Sequence, residues 1–115
     1  DLSDCNLIRA NLRRADLVKA NLARTILCDV VLRGADLNGA RLFYGGATTA
    51  SPRSRTDPPD YSTGVHTGAV IEGADLTGVL QLSDDQRYYC CAWGGSKTRG
   101  TVPGGCTGIP NKLGR

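Results

Sequence analysis

Leucine stands at every fifth position from Leu2 to Leu42, at 2, 7, 12, 17, 22, 27, 32, 37 and 42. Two residues before each leucine from Leu7 onward sits a small or β-branched residue: Cys5, Ala10, Ala15, Ala20, Thr25, Val30, Ala35 and Ala40. Between the two lies most often Asn or Asp. A period of five fits neither the helix nor the flat strand, whose side chains repeat at about 3.6 and 2.0 residues. It fits a coil in which each unit forms one side, with the leucine and the small residue inward and the other three positions in water. Four units then close a turn of about 20 residues, and stacked turns pair their backbones at about 4.8 Å. The register predicts vertical neighbours: Asp4 with Arg24 and Arg9 with Asp29, opposite in charge, and Asp16 with Asp36, alike. Such exposed pairs contribute only about 0 to 1 kcal/mol each, so leucine columns and backbone ladders must hold the stack.

The units Ala10-Asn11-Leu12, Ala15-Asp16-Leu17, Ala20-Asn21-Leu22 and Ala35-Asp36-Leu37, within the run from Cys5 to Ala40, resemble the pentapeptide-repeat family. The resemblance implies a right-handed, four-sided β-helix. A leucine-rich repeat would need its own pattern on a period of about 20 to 29 residues. The expected fold class is therefore an all-β solenoid, a quadrilateral β-helix, with a short α-helical cap at its C-terminal end.

The pattern breaks after Leu42. Residues 46–68 carry Pro52, Pro58 and Pro59 among Ser, Thr, Asp and Arg, which reads as a long inserted loop. The repeat resumes at Ala69-Val70-Ile71-Glu72-Gly73 and Ala74-Asp75-Leu76-Thr77-Gly78. Leu42 to Leu76 spans 34 residues, which is not a multiple of five. The expected organisation is one domain over 1–115: coils in 1–45, the loop in 46–68, last repeat units in 69–82, and a cap with tail in 83–115. A solenoid must cover its last coil, whose backbone and apolar side chains are otherwise exposed. Ser83-Asp84-Asp85-Gln86 has the form of a capping box, predicting a helix from Asp84 to about Trp93, stopped by Gly94-Gly95. Tyr88, Tyr89, Cys91, Ala92 and Trp93 would give it the apolar material to seal the coil.

Five cysteines in 115 residues, three of them at 90, 91 and 106, point to an oxidising compartment. The chain opens directly in the repeat at Asp1, so the expectation is a leader removed or residues upstream, with a first coil whose edge is covered by such a segment or by a partner. A net charge of +3, spread along the chain, gives no argument for nucleic acid. No apolar stretch approaches the roughly 18 residues that would span a bilayer.

From Ala69 to Cys106 a second resemblance appears. Val70-Ile71-Glu72-Gly73-Ala74-Asp75-Leu76-Thr77, then Asp84-Asp85-Gln86-Arg87, a tyrosine and Cys91, then Lys97-Thr98-Arg99 and Cys106, are similar to the tail of thylakoid-lumen pentapeptide proteins of plants, algae and cyanobacteria. That likeness implies a lumenal, photosynthetic setting and a disulfide from Cys91 to Cys106, a structural staple worth about 3 kcal/mol. Cys90 and the stretch Val102-Pro103-Gly104-Gly105 depart from the pattern, which leaves Cys90 open as the partner of Cys106.

No nucleotide loop, nucleophile motif or Cys-x-x-Cys pair occurs, and the only histidine, His66, lies in the loop. Asp16, Asp36 and Asp75 precede core residues in the repeat, where hydrogen bonding to backbone is the expected role. The reading is accordingly no enzyme, no metal and no cofactor. Binding has better support. On the side carrying Leu7 and Leu27 the outward Ile8, Ile26 and Cys28, with Val31 at the next corner, are expected to form an exposed apolar cluster. The adjacent side puts Arg13, Arg14 and Arg33 together. An apolar side beside a basic one suits docking, and the lumenal resemblance makes the expected partner a membrane-embedded photosynthetic complex such as a photosystem. Two alternatives are a lumenal protein regulated through Cys90, Cys91 and Cys106, and an inhibitor of DNA gyrase that imitates DNA, a role for which the chain is too basic and too short.

Overall fold

The computed structural model describes residues 5–52 and 66–115. Its unit is a turn built from two local devices. In each unit from Leu7 to Leu37 the residue three positions on donates its N–H back to the inward leucine carbonyl, as Ala10 does to Leu7 and Ala35 to Leu32. The residue two positions on has a positive φ: Arg9, Arg14, Lys19, Arg24 and Asp29 lie between 55° and 62°, and Gly34 and Gly39 at 70°. A four-residue turn with φ above zero at its third position is a type II turn, at the cost of a left-handed conformation for any residue with a side chain. The second device is the Asn or Asp before the leucine. Oδ1 of Asn6, Asn11, Asp16, Asn21, Asp36 and Asp75 accepts the N–H two residues on at 3.0–3.2 Å. This Asx bond pins the corner, which is the role expected for the repeat carboxylates.

Stacking of these corners makes the coil. Parallel bridges join Asn6 to Ile26, Asn11 to Val31, Asp16 to Asp36 and Asn21 to Arg41, a register of four five-residue units per turn. Arg9 consequently lies below Asp29 and Asp16 directly below Asp36; the Asp4–Arg24 pair falls outside the described residues. A third coil continues through Ile26–Val70, Val31–Asp75 and Asp36–Leu80, so the step widens from 20 residues to 44. The extra chain leaves after Leu42 and returns at Ala69, whose N–H donates to the Leu42 carbonyl. Of the loop expected over 46–68 only the two stems lie among the described residues, closed by Gly68 N–H to the Ser51 carbonyl and a Pro52–Gly68 bridge.

The all-β expectation needs one correction. Among the described residues the coils are joined by isolated bridges and no β-strand forms. A type II turn consumes most of each unit, which leaves a single residue per side in extended pairing. Inside, Leu22, Leu27, Leu32, Leu37, Leu42, Ile71 and Leu76 stack with Val30, Ala35, Ala40, Ala69, Ala74 and Val79 in one core. Full burial of a leucine contributes about 1.5 to 3 kcal/mol. Leu7, Leu12 and Leu17 of the first coil are only partly buried.

The C-terminal cap consists of α1 (Asp84–Trp93) and α2 (Gly95–Arg99). Ser83 caps α1, its Oγ accepting Gln86 N–H at 3.3 Å. The reciprocal half of the expected capping box is replaced: Gln86 Oε1 accepts the N–H of Leu42, where the inserted chain leaves the coil, at 2.9 Å. Other cap groups do the same along the last coil. Tyr89, fully buried and stacked on Phe43, donates its hydroxyl to the Ala69 carbonyl at 2.7 Å. Thr98 donates to the Ile71 carbonyl, Thr101 Oγ1 accepts Leu76 N–H at 3.0 Å, and the Gly94 carbonyl accepts Gly73 N–H. The cap thus completes the last side of the third coil and stands in for a fourth coil, group by group. Gly68 leaves the space for this: a Cβ there would lie 1.9 Å from the Tyr89 hydroxyl. The tail is held by a Cys91–Cys106 disulfide, Cα–Cα 5.6 Å, with Cys90 free and buried.

Candidate functional site: the outward faces of the coil

The bridges sort outward residues onto sides. One side holds 5–9, 25–29 and 69–73; the next 10–14, 30–34 and 74–78; the next 15–19, 35–39 and 79–82; the last 20–24 and 40–44, above which α1 begins.

On the first side the expected exposed apolar cluster is closed. Ile26, Cys28 and Val70 form a small cluster of their own with Ile8 packed against it, and Ile26 and Cys28 are 7% and 1% exposed. Outward residues at one position of successive coils stand one strand spacing apart and cover each other, and Val70 of the third coil extends the column. Ile26 and Cys28 therefore cannot meet a partner as they stand; Ile8 remains half-exposed, and Val31 sits half-buried in the column between Asn11 and Asp75. Among the described residues the exposed large apolar ones are Val18 and Leu80, two sides away, at 40% and 53%. Both depart from the repeat pattern, Val18 as an apolar residue at an outward position and Leu80 at an Asn/Asp position.

The basic side is present and tempered. Arg13, Arg14 and Arg33 are exposed, but Arg33 Nε pairs with Asp75 Oδ2 of the coil above at 2.5 Å. Burial works to raise the pKa of Asp75, yet hydrogen bonds from the Thr77 hydroxyl, Arg33 and the Thr77 N–H outweigh it and hold the carboxyl at about 2.

The last side carries an arrangement the sequence reading missed. Tyr44 lies with the Arg24 guanidinium 5.6 Å and the Arg41 guanidinium 5.5 Å from its ring centroid, and Asn21 Nδ2 donates to its hydroxyl at 2.5 Å. Thr67 pins the tyrosine backbone from both sides, accepting Tyr44 N–H and donating to the Tyr44 carbonyl. The available signal was Arg41 itself, which stands where the repeat otherwise prefers Asn or Asp and so forgoes the Asx bond.

A cleft of about 380 Å³ opens where the coils meet the cap, lined by Cys28, Asp29, Glu72, Gly73, Gly94, Ser96, Lys97 and Arg115. The Glu72–Arg115 ion pair, Nε to Oε2 2.8 Å, crosses it. Cys90 lies deep under the cap, and burial pushes its thiol up to about 12, far from thiolate chemistry at neutral pH. No group of three or more metal-ligating side chains occurs among the described residues, and no helix there is long and apolar enough to cross a membrane. His66 Nδ1 pairs with Ser51 Oγ at the loop stem, 2.9 Å.

The family model for pentapeptide repeats matches residues 1–42, in eight copies. No curated protein and no solved structure matches the chain.

Proposed function

We propose, from the premise that residues 1–42 are a pentapeptide-repeat array, that this chain is a non-enzymatic docking protein of the thylakoid lumen, attached to a membrane-embedded photosynthetic complex such as a photosystem. Its coil is right-handed and four-sided, as such repeats normally wind. The observation that carries the docking reading is the first coil's ring of cations. Arg9, Arg14, Lys19 and Arg24 occupy the same left-handed corner in four consecutive units, so the backbone sets four outward charges at fixed spacing. A partner would read that spacing. The Cys91–Cys106 disulfide supports an oxidising compartment, and the resemblance of the tail supports the lumen.

Redox regulation is the weaker reading, because the spare thiol nearest the disulfide, Cys90, is buried and kept protonated. Native protein at pH 8 should leave Cys90 unalkylated by iodoacetamide, and fast labelling would revive that alternative. The cationic ring speaks against imitation of DNA. The docking reading is tested by fractionating native thylakoid membranes of the source organism, locating the chain by mass spectrometry, and cross-linking through Lys19 and Lys97 without reductant. Co-migration with a photosynthetic complex is the expected result. Recovery solely as a free protein, or outside thylakoids, overturns it.

A further inference from the structure

We infer that the side formed by residues 20–24 and 40–44 is a recognition patch for a compact cluster of carboxylates on a partner protein, with Arg24, Arg41 and Tyr44 as its centre and Lys19 at its rim. The inference rests on the docking reading and gives it a location and a chemistry.

The patch is held in place more firmly than an ordinary surface charge. Two guanidiniums flank one ring at 5.6 and 5.5 Å, and the ring is anchored by Asn21 at its hydroxyl. Thr67 fixes the tyrosine backbone from both sides. A guanidinium ordered against an aromatic face gives up less rotamer freedom when it pairs with a carboxylate, and its planar fork matches that group. Lys19 shares the adjoining corner. Gly39 stands above it, where a Cβ would lie 3.2 Å from Lys19 Cγ, so the bare glycine leaves room for the lysine stem. Arg41 also occupies an Asn/Asp position of the repeat, which trades a corner-pinning bond for outward charge.

The choice of partner follows from where the acids lie. Residues 20–24 and 40–44 contain no Asp or Glu. The two neighbouring sides carry Asp16 and Asp36, one above the other, and Asp29 and Glu72, and the exposed Asp84 and Asp85 open α1 above the patch. An extended polyanion or a broad anionic membrane would meet these acids as soon as it spread beyond the patch. A local group of Asp and Glu side chains on a protein would not. Val18, 40% exposed beside Lys19, adds an apolar contact that a protein surface can match.

The test is fluorescence anisotropy of a labelled oligoglutamate peptide titrated with the full chain, with phosphatidylglycerol vesicles and inorganic phosphate as parallel probes. The double substitution Arg24→Glu/Arg41→Glu should weaken oligoglutamate binding by about tenfold or more, and Arg24→Gln/Arg41→Gln by a smaller factor. Arg13→Glu/Arg14→Glu, an equal charge change on the opposite side, should stay within about twofold of wild type. Circular dichroism melts confirm that each variant is folded, and the glutamine pair decides the matter if the glutamate pair is not. Equal losses in both charge-reversed pairs would reduce the effect to net charge and overturn the proposal. No oligoglutamate binding, or stronger binding to vesicles lost in the same variants, would overturn it too, the latter in favour of a lipid surface. Failure of the docking reading looks different: oligoglutamate binding would retain its patch dependence while the chain fails to co-migrate with any complex.

Discussion

The coils and the cap solve one problem by opposite means. In the coils each backbone group finds its partner because the next turn repeats the last, so Leu7 N–H meets the Ile26 carbonyl and Leu27 N–H meets that of Val70 by register alone. The cap has no repeat to rely on. It meets the coils with individual groups, Gln86 at Leu42 and Tyr89, Thr98, Thr101 and the Gly94 carbonyl along the last coil, each aimed at one backbone atom. Repetition spreads stability over many equivalent contacts, whereas the cap concentrates it in a few that have no substitute.

That contrast can be broken most easily at Tyr89. Tyr89→Ala should cost about 3–5 kcal/mol in denaturant unfolding, because it empties the space against Phe43 and orphans the Ala69 carbonyl. Leu12→Ala, at a partly buried core position of the first coil, should cost less than about 2 kcal/mol; equal losses would erase the distinction. Opening the Cys91–Cys106 link with reductant, or by the double serine substitution, should cost about 3 kcal/mol and leave the first coil folded. A sharper comparison pairs two small polar changes. Gln86→Ala leaves a coil N–H unpaired and should cost about 1–2 kcal/mol, while Asn11→Ala removes one Asx bond of many and should cost about 0.5–1 kcal/mol; the reverse order in urea melts would contradict the account.

The smallest effect is electrostatic. Asp75 is held at about 2, below its ordinary 3.8, so the charged form is favoured by folding. Its contribution is complete above about pH 4 and fades as pH falls from there toward 2. Asp75→Asn should therefore flatten the acid limb of the stability profile in that window, by less than about 1 kcal/mol, since the arginine of the pair is solvent-exposed. An unchanged acid limb would show that the Arg33 and Thr77 contacts contribute nothing.

The same contrast explains how much could be read from the chain alone. The coil register, the Asx role of Asp16, Asp36 and Asp75, and the position of the insertion all follow from periodicity, because a repeat states each contact many times. Helix α1 and its Ser83 cap were legible from local capping chemistry, and the Cys91–Cys106 pairing from the likeness of the tail. The partners of Gln86 and Tyr89 were not, since each contact occurs once and joins residues 44 and 20 positions apart. The expected apolar docking cluster failed for a related reason: Ile8, Ile26 and Cys28 were rightly placed on one side, but their burial depends on Val70, which arrives from beyond the inserted loop. Tyr44 and its two arginines went unread because one member, Arg41, marks itself merely as a departure from the repeat.

The central claim is that the cap replaces the missing last side of the third coil and the missing fourth coil one hydrogen bond at a time, and amide hydrogen exchange tests it at single residues. In the native protein Leu42 and Leu76 N–H should be protected to the same degree as Leu27 and Leu32 inside the stack. Gln86→Ala should then deprotect Leu42 selectively, and Thr101→Val should do the same to Leu76, with Leu7 and Leu12 unchanged. Fast exchange at Leu42 and Leu76 in the wild type, or unaltered protection in both variants, would contradict the account.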